Sequence, residues 1–289
     1  MTCAIAIDIG GTKIEVGLVD DSATILERHR APSTGAVDGE ELFQRIADLV
    51  ESIGVGRAGV CGVGTGGPMR SAGERVSPLN IEVWRDFPLR GRLASLTGLA
   101  TFVDNDAKAL ALAEGWRGAA RGESDFVAMV VSTGVGGGIV LNGRLLDGAD
   151  GNAGHIGHVI VEPAGTDLPL HVRGVLEAEA SGTALEFRTG RPAAEADDAE
   201  IRRAGTLVGR AVGSVANLLD LRLAVVAGSV ALGFGDPFFI AAQQEIDRVA
   251  RLDHSLGTRI VPAGLGADGP LIGAAAVGFR GLGIDVGVS

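Results

Sequence analysis

Cysteine is nearly missing from this chain: Cys3 and Cys61 are the only two among 289 residues. Two thiols are too few for a disulfide framework or a cysteine-rich zinc centre. Basic residues are outnumbered, 25 Lys and Arg against 36 Asp and Glu, for a net charge of −11. A chain this acidic is a poor match for a phosphodiester backbone, so nucleic acid is not an expected partner. Long hydrophobic runs are missing as well. The longest charge-free stretch, 126–143, is broken by five glycines and by Ser132, Thr133 and Asn142. It reads as an interrupted β pattern, not as the ~20 unbroken apolar residues of a membrane helix. Asp8 and Lys13 interrupt the first apolar run, so no secretory leader is expected there. A soluble, cytoplasmic protein is the expectation.

Glycine, in contrast, is abundant. The 46 glycines are more than twice the usual share of about 7%. They stand between Val, Ile and Ala runs, as tight loops between buried elements do. The first segment alternates Ile5, Ile7, Ile9 and then Ile14, Val16, Leu18 around a Gly-Gly pair, which predicts a hairpin. A second hairpin is expected over 126–141. There the strand Val127–Val131 enters a turn Ser132–Gly138, a strand follows over Ile139–Leu141, and Asn142-Gly143 forms a further turn. Its echo of the opening hairpin suggests two related halves. Apolar residues at helical spacing predict a helix over 40–53. Asp104-Asn105-Asp106 opens one over 107–116, and helices are also expected over 90–96, 177–188, 198–219, 237–251 and, Ala-rich, 270–279. Strands are expected at 59–67, 100–103, 223–227 and 259–261, and an irregular stretch at 68–87. Strands alternating with helices define an α/β fold. The expected division is a small domain over 1–105, with the last helix (about 270–289) packing back on it, and a larger domain over 106–269.

Several segments carry candidate chemistry. The turn Asp8–Lys13 can present backbone N–H groups and the Thr12 hydroxyl to a phosphate. From this segment alone an ordinary hairpin turn is the simpler reading, and the P-loop pattern is absent. Ser132–Gly138 is more telling, because consecutive glycines weaken a strand and commonly mark close approach to a ligand. Gly228-Ser229, after a buried strand, could form a third ligand-facing loop. Asp106, beside Asn105 at a helix start, reads equally as a helix cap and as a base in phosphoryl transfer. His155 and His158 stand three apart, open to both metal binding and hydrogen bonding. Glu177 could be a solvated acid at a helix start.

Taken in order, these segments resemble the ROK family (repressor, open reading frame, kinase) of bacterial sugar kinases. The resemblance spans nearly the whole chain. Ala6–Lys13 is similar to the family's first phosphate loop, Val103–Ala107 to its sugar and base motif, and Ser132–Gly138 to its second phosphate loop. Ala153–His158 and Leu176–Gly182 resemble the sugar-binding and signature segments, and Val225–Val230 the adenosine loop. The resemblance implies a two-domain actin-like ATPase (ribonuclease H-like) fold with an interdomain cleft. It implies ATP and Mg²⁺ as cofactors, and transfer of the γ-phosphate to the 6-hydroxyl of a hexose. Asp106 would be the base. Asn105, His155, His158 and Glu177 would contact the sugar or order that wall, with Gly66, Gly67 and Asn80 lining the site from the first domain. Asp8, Gly10, Gly11, Thr12, Lys13, Ser132, Thr133, Gly134, Gly136, Gly137, Gly228 and Ser229 would serve the nucleotide, and Asp8 would hold Mg²⁺ through water. A homodimer is implied by resemblance alone.

Two departures from the family pattern stand out. Many members carry a zinc site of three cysteines and a histidine. The cysteine positions fall here on Leu168, Leu170 and Val175, leaving His158 with His171 as a distant spare. About four N, S or O ligands are needed for zinc, so no zinc is expected, and the three apolar residues should form a small cluster instead. The second departure is His155, where hexokinase-like members carry Glu; histidine there resembles some bacterial N-acetylmannosamine kinases. A neutral imidazole donates one hydrogen bond and accepts one, whereas a carboxylate only accepts. Glucose-type and N-acetylmannosamine or mannose-type sugars both stay open. Two other classes stand beside the kinase. A ROK repressor would need a DNA-binding segment ahead of the first strand, for which Ala4 leaves no room. A non-catalytic ROK sugar-binding sensor or regulator without a DNA-binding domain is the alternative. Asp106 and both glycine loops argue against it, while His155 and the missing zinc ligands keep it open.

Overall fold

The computed structural model describes residues 2–70, 72–169 and 171–289. The chain resolves into two compact units. One comprises the residues up to Arg121 together with Leu145–Ala153 and Leu265–Ser289; the other comprises Gly122–Arg144 and Gly154–Gly264.

The first unit is built on the opening hairpin. Strands β1 (Cys3–Ile9) and β2 (Lys13–Asp20) pair antiparallel, and β3 (Ile25–Pro32) extends them. Ile5, Ile7 and Ile9 on β1, and Ile14, Val16 and Leu18 on β2, enter one hydrophobic core. Helix α1 (Gly39–Ile53) covers that core with Leu42, Phe43, Ile46, Val50 and Ile53, and the Asp38 side chain caps it by accepting from Glu41 N. Strand β4 (Val60–Thr65) runs parallel to β1. The stretch expected to be irregular holds two short paired strands, β5 (Met69–Arg70) and β6 (Arg75–Val76). Helix α2 (Leu89–Thr97), β7 (Thr101–Asn105) and α3 (Asp106–Arg117) complete this part. The sheet order is β3-β2-β1-β4-β7.

The second unit repeats the plan. Strands β8 (Phe126–Val131) and β9 (Val135–Leu141) form the hairpin, with β10 (Arg144–Leu145) beyond a turn in which Asn142 and Gly143 both take positive φ, 52° and 70°. That is the signature of a type I′ turn. Helices α4 (Leu176–Ala180), α5 (Gly182–Thr189) and α6 (Asp198–Leu219) follow. Then come β11 (Leu223–Ala227), α7 (Ser229–Phe234), α8 (Asp236–Val249) and β12 (Arg259–Pro262). The order β10-β9-β8-β11-β12 mirrors the first sheet, with β8, β11 and β12 parallel.

The last helix, α9 (Gly269–Gly281), packs on β1, β4, β7 and α3. Glycines permit the approach. A Cβ at Gly62 of β4 would come within 2.6 Å of Gly278 N, and one at Gly273 within 2.6 Å of Ala109 O. This contact keeps α3 with the first unit, so the division falls at Arg121–Gly122 and not after Asn105. The helix itself stops at Gly281.

Two elements differ from the sequence expectation. Gly136, Gly137 and Gly138 lie inside β9, paired with β8, so the turn is only Ser132–Gly134. A Cβ on Gly137 would meet Ile156 Cγ2 at 2.9 Å and Gly154 O at 3.0 Å, so the crossing segment demands the glycine. The helix expected over 177–188 is two helices. Ser181 between them is extended and caps α5 by accepting from Ala184 N.

Helices α6 and α8 meet through Gly205, Gly209 and Gly213. A Cβ at Gly209 would approach Ala242 backbone carbon atoms at 2.9 Å, and backbone cannot swing aside as a side chain does. Gly209→Leu is therefore expected to cost roughly 1–3 kcal/mol or more by overpacking. That lowers the thermal midpoint by several degrees in differential scanning calorimetry. Gly233→Ala, on α7 with open space around it, should leave the midpoint within about a degree. Equal shifts for the two variants would refute the close-packing account.

Candidate active site

In the first unit the chemistry collects where β1, β4 and β7 end. After Ile9 the chain turns through Gly10, Gly11 and Thr12, and Gly10 N donates to Lys13 O at 3.0 Å. Thr12 O accepts from Ser33 N at 3.1 Å, which ties the turn to the end of β3. The side chain of Asn80 lies against this turn. A Cβ on Gly11 would stand 2.8 Å from Asn80 Nδ2, and one on Gly66 would stand 3.0 Å from Asn80 Oδ1. Gly11 and Gly66 thus make room for the Asn80 amide. Gly67, next along the loop, accepts from Leu79 N at 3.1 Å, holding the Asn80 segment close.

Asp8 and Asp106 form the second feature of this edge. A Cβ on Gly64 would be 3.7 Å from both Asp8 Oδ1 and the Asp106 Cα, so the two acids flank one small residue. Burial pushes the Asp8 carboxyl up to about 7, with Asp106 and then Glu15 adding to the rise and Lys13 opposing it. Glu15 behaves differently. Burial alone would raise it, but bonds from Lys13 at 2.9 Å and from Arg30 hold it below the usual carboxylate range. Asn105 is the N-cap of α3, its side chain accepting from Ala107 N at 3.0 Å. Asp106 Oδ1 also accepts from Ala107 N, at 2.8 Å. Asn105 supplies the cap, and the Asp106 carboxylate stands at the first position of the helix.

Two residues further along α3, Lys108 is buried. Its ammonium lies 2.8 Å from both Asp104 Oδ1 and Asp147 Oδ1 and donates to Gly151 O at 3.2 Å. Burial raises Asp104 even with Lys108 beside it. Asn152, in the same segment as Asp147, bonds Met69 twice: it accepts from Met69 N at 3.2 Å and donates to Met69 O at 3.0 Å. The segment 147–152 is thereby fastened at both ends. The sequence offers no signal for this, because nothing in local spacing tells a buried lysine from a solvated one.

In the second unit three segments converge on the β8–β9 turn. Ser132 N donates to Gly134 O at 2.9 Å, closing the turn. The Ser132 and Ser229 hydroxyls share a hydrogen bond of 2.9 Å. Gly228, at φ 102°, lies against the backbone of Val131, where a Cβ would be 2.8 Å from Val131 N. From the break between α4 and α5, Gly182 N donates to Ser132 O at 2.7 Å, and the Thr183 hydroxyl donates to Thr133 O at 3.0 Å. Gly182 and Thr183 were not singled out as loop partners from sequence. The signal was there in the Ser-Gly-Thr step inside an otherwise helical pattern, a breaker and cap signature.

Glu177 joins this turn. Its Oε2 accepts from Val135 N at 2.6 Å, and its Oε1 lies 2.9 Å from His171 Nε2. His155 and His158 flank a short 3-10 turn with their rings edge to face, centroids 5.8 Å apart. Both are exposed. Partial desolvation, and then His158, hold the His155 imidazole below the ordinary histidine value, with Glu177 opposing. At neutral pH it is a neutral ring with one donor and one acceptor. Leu168 and Val175 join Ala178 and Ala184 in a small hydrophobic cluster. Leu170, the third expected member, lies outside the described residues. Among the described residues, no three His, Cys, Asp or Glu side chains group as a metal site.

Asp8 fits a cation that brings its own remaining ligands. Two neighbouring acids with a raised carboxyl between them are relieved by a positive charge, and the rest of the coordination would come from water and phosphate.

The ROK family model matches residues 4–279. A glucokinase from Thermotoga maritima is 41% identical over 184 residues, covering 63% of this chain and 58% of that protein's length. An N-acetylmannosamine kinase from Citrobacter koseri is 35% identical over 246 residues, covering 80% of this chain and 84% of its own. The crystal structure of a ROK family glucokinase from Streptomyces griseus, in complex with glucose and AMPPNP, superposes with a TM-score of 0.83. It is 26% identical, and the match covers 96% of this chain and 99% of that one. The repeated sheet order is the actin-like ATPase fold of these proteins, and the chain belongs to the ROK family.

Proposed function

We propose that this protein is an ATP-dependent hexose kinase, transferring the γ-phosphate of ATP to the 6-hydroxyl of a glucose-type or an N-acetylmannosamine or mannose-type sugar. The observation that carries the reading is the pairing of buried Asp8 with Asp106 at one strand edge, beside a glycine turn cleared for Asn80. The named relatives, sugar kinases, support it.

Phosphoryl transfer asks a protein for position and charge neutralisation more than for covalent help. In this reading the Gly10–Lys13 turn and the Ser132–Gly134 turn offer backbone N–H groups to the ATP phosphates, with the Thr12, Ser132 and Thr133 hydroxyls. Gly136 stays with the nucleotide side of β9, Gly137 leaves room for the 154–158 segment that crosses it, and Gly228 and Ser229 take the adenosine side. When bound, Mg²⁺ neutralises phosphate charge, with Asp8 as the protein group facing it through water. Asp106 orients the sugar hydroxyl and accepts its proton as transfer proceeds, since a hydroxyl is too weak an acid to ionise beforehand. Asn80, Asn105, His155, His158 and Glu177 hold the remaining hydroxyls, with Gly66 and Gly67 lining that wall. A neutral His155 pairs with a C2 substituent that either donates or accepts, which suits a hydroxyl and an acetamido group alike. A cytoplasmic homodimer is part of the same proposal.

An ADP-release assay with Mg–ATP against glucose, mannose, fructose, N-acetylglucosamine and N-acetylmannosamine tests the reading. One sugar turning over far faster than the others is expected. Silence from a folded protein that still binds sugar would replace the kinase with a sensor. Asp106→Asn should lower kcat by about 100-fold or more, with sugar affinity by calorimetry within a few-fold. Surviving turnover would remove Asp106 as the base.

Asp8 gives a pH signature. With its carboxyl near 7, it is largely protonated at about pH 6 and must lose that proton to face a cation. Mg–ATP binding at about pH 6 should therefore release close to one proton, the release fading as pH rises past about 8. Calorimetry in buffers of different ionisation enthalpy measures it. Asp8→Asn should abolish the release; a release unchanged in that variant would clear Asp8 of the role.

A further inference from the structure

The segment 162–175 has no metal ligands of the cysteine type, yet among its described residues it is attached to α4 at four points. Glu179, fully buried, accepts from Thr166 N and from the Thr166 hydroxyl, and pairs with Arg203. Leu168 and Val175 share the cluster with Ala178 and Ala184. The fourth attachment is His171 to Glu177. Its ring is held on both sides: Nδ1 lies 3.0 Å from Pro169 O and Nε2 lies 2.9 Å from Glu177 Oε1.

We propose that His171 is a positioning residue that aims the Glu177 carboxylate at the sugar, doing by hydrogen bonds what a bound metal would do for such a loop. The proposal rests on the reading of Glu177 as a sugar ligand. A carboxylate only accepts, so the Nε2 that faces Glu177 donates to it. The second carboxylate oxygen is taken by Val135 N at 2.6 Å. Glu177 is thus pinned at both oxygens, one by the loop and one by the glycine turn. Its rotation is suppressed, while each oxygen keeps a second lone pair for a hydroxyl donor. Positioned groups lose their effect within fractions of an ångström, so releasing one pin should be felt mainly in sugar binding. The His171 side chain is 21% exposed, and its backbone N–H donates to Leu168 O at 3.1 Å, which fixes the residue in the loop.

The test separates the hydrogen bond from simple packing. His171→Phe keeps a ring of similar size without donors, and His171→Gln keeps a donor. Kinetics with the sugar identified from the panel should show the KM for hexose raised about ten-fold in His171→Phe, with the KM for ATP and kcat within about three-fold. His171→Gln should recover most of the loss. In a Glu177→Gln background, His171→Phe should add little further, as expected for two residues acting through one bond. An unchanged hexose KM in His171→Phe overturns the proposal, as does equal damage from Phe and Gln. A readout free of activity keeps this distinct from the kinase reading. In ¹⁵N spectra of the imidazole, Nε2 of His171 should carry a proton, and its signal should shift in Glu177→Gln. If the protein phosphorylates no hexose, the kinase reading fails while this spectrum still decides the bond. An Nε2 signal indifferent to Glu177→Gln overturns the proposal in either case.

Discussion

Parallel pairing is the constraint on which the site depends. Parallel strands must leave a sheet at the same edge, and β1, β4 and β7 end in register, Ile9 beside Thr65 and Thr65 beside Asn105. The phosphate-type turn, the Gly66–Gly67 loop and the Asp106 helix start are therefore delivered to one place without any of them being adjacent in sequence. The second sheet does the same with β8 and β11, whose ends carry Ser132 and Gly228. Ligands of open α/β sheets bind at such carboxyl edges, because there the backbone stops pairing with neighbours and its polar groups face outward.

Charge placement then divides the acids into two kinds. Glu15, Asp147 and Glu179 have cations on them: Lys13 and Arg30, Lys108 and Arg280, and Arg203. These carboxylates are structural ties. Asp8 differs, since its main charged neighbours are acids and its carboxyl is driven up by burial. A buried acid with its carboxyl raised, among others paired with cations, is the feature on which the proposed cation role of Asp8 rests. The same contrast assigns Lys108 to architecture: its ammonium joins β7, α3 and the 147–151 segment, and the enclosure leaves it no room to meet a substrate.

Much of this was legible in the residues. The opening hairpin, α1 and α6 have apolar positions that repeat at the period of the element they form, whereas α9 is legible as an Ala-rich stretch. The helix start at Asn105 is a cap written in local chemistry. The glycines at 136–138 show where reading by composition fails. They look like a turn but are a strand, and the reason for Gly137 is Ile156 and Gly154 crossing above it. That reason lies about twenty residues away and has no local trace. The split between α4 and α5 is similar: Ser181 permits it, but the bonds from Gly182 and Thr183 to the β8–β9 turn are what use it.

By itself the sequence determined the type and order of the elements, the placement of glycine turns after buried strands, and the ordered motifs that mark the family. Those depend on steric and periodic preferences acting over a few residues. Tertiary structure alone decided that Asp8 is flanked by Asp106, that Asn80 fits against Gly11 and Gly66, that Lys108 is buried between Asp104 and Asp147, and that His171 meets Glu177. Burial and charge–charge distance set those properties, and both arise only when segments far apart in the chain are brought within a few ångströms of each other.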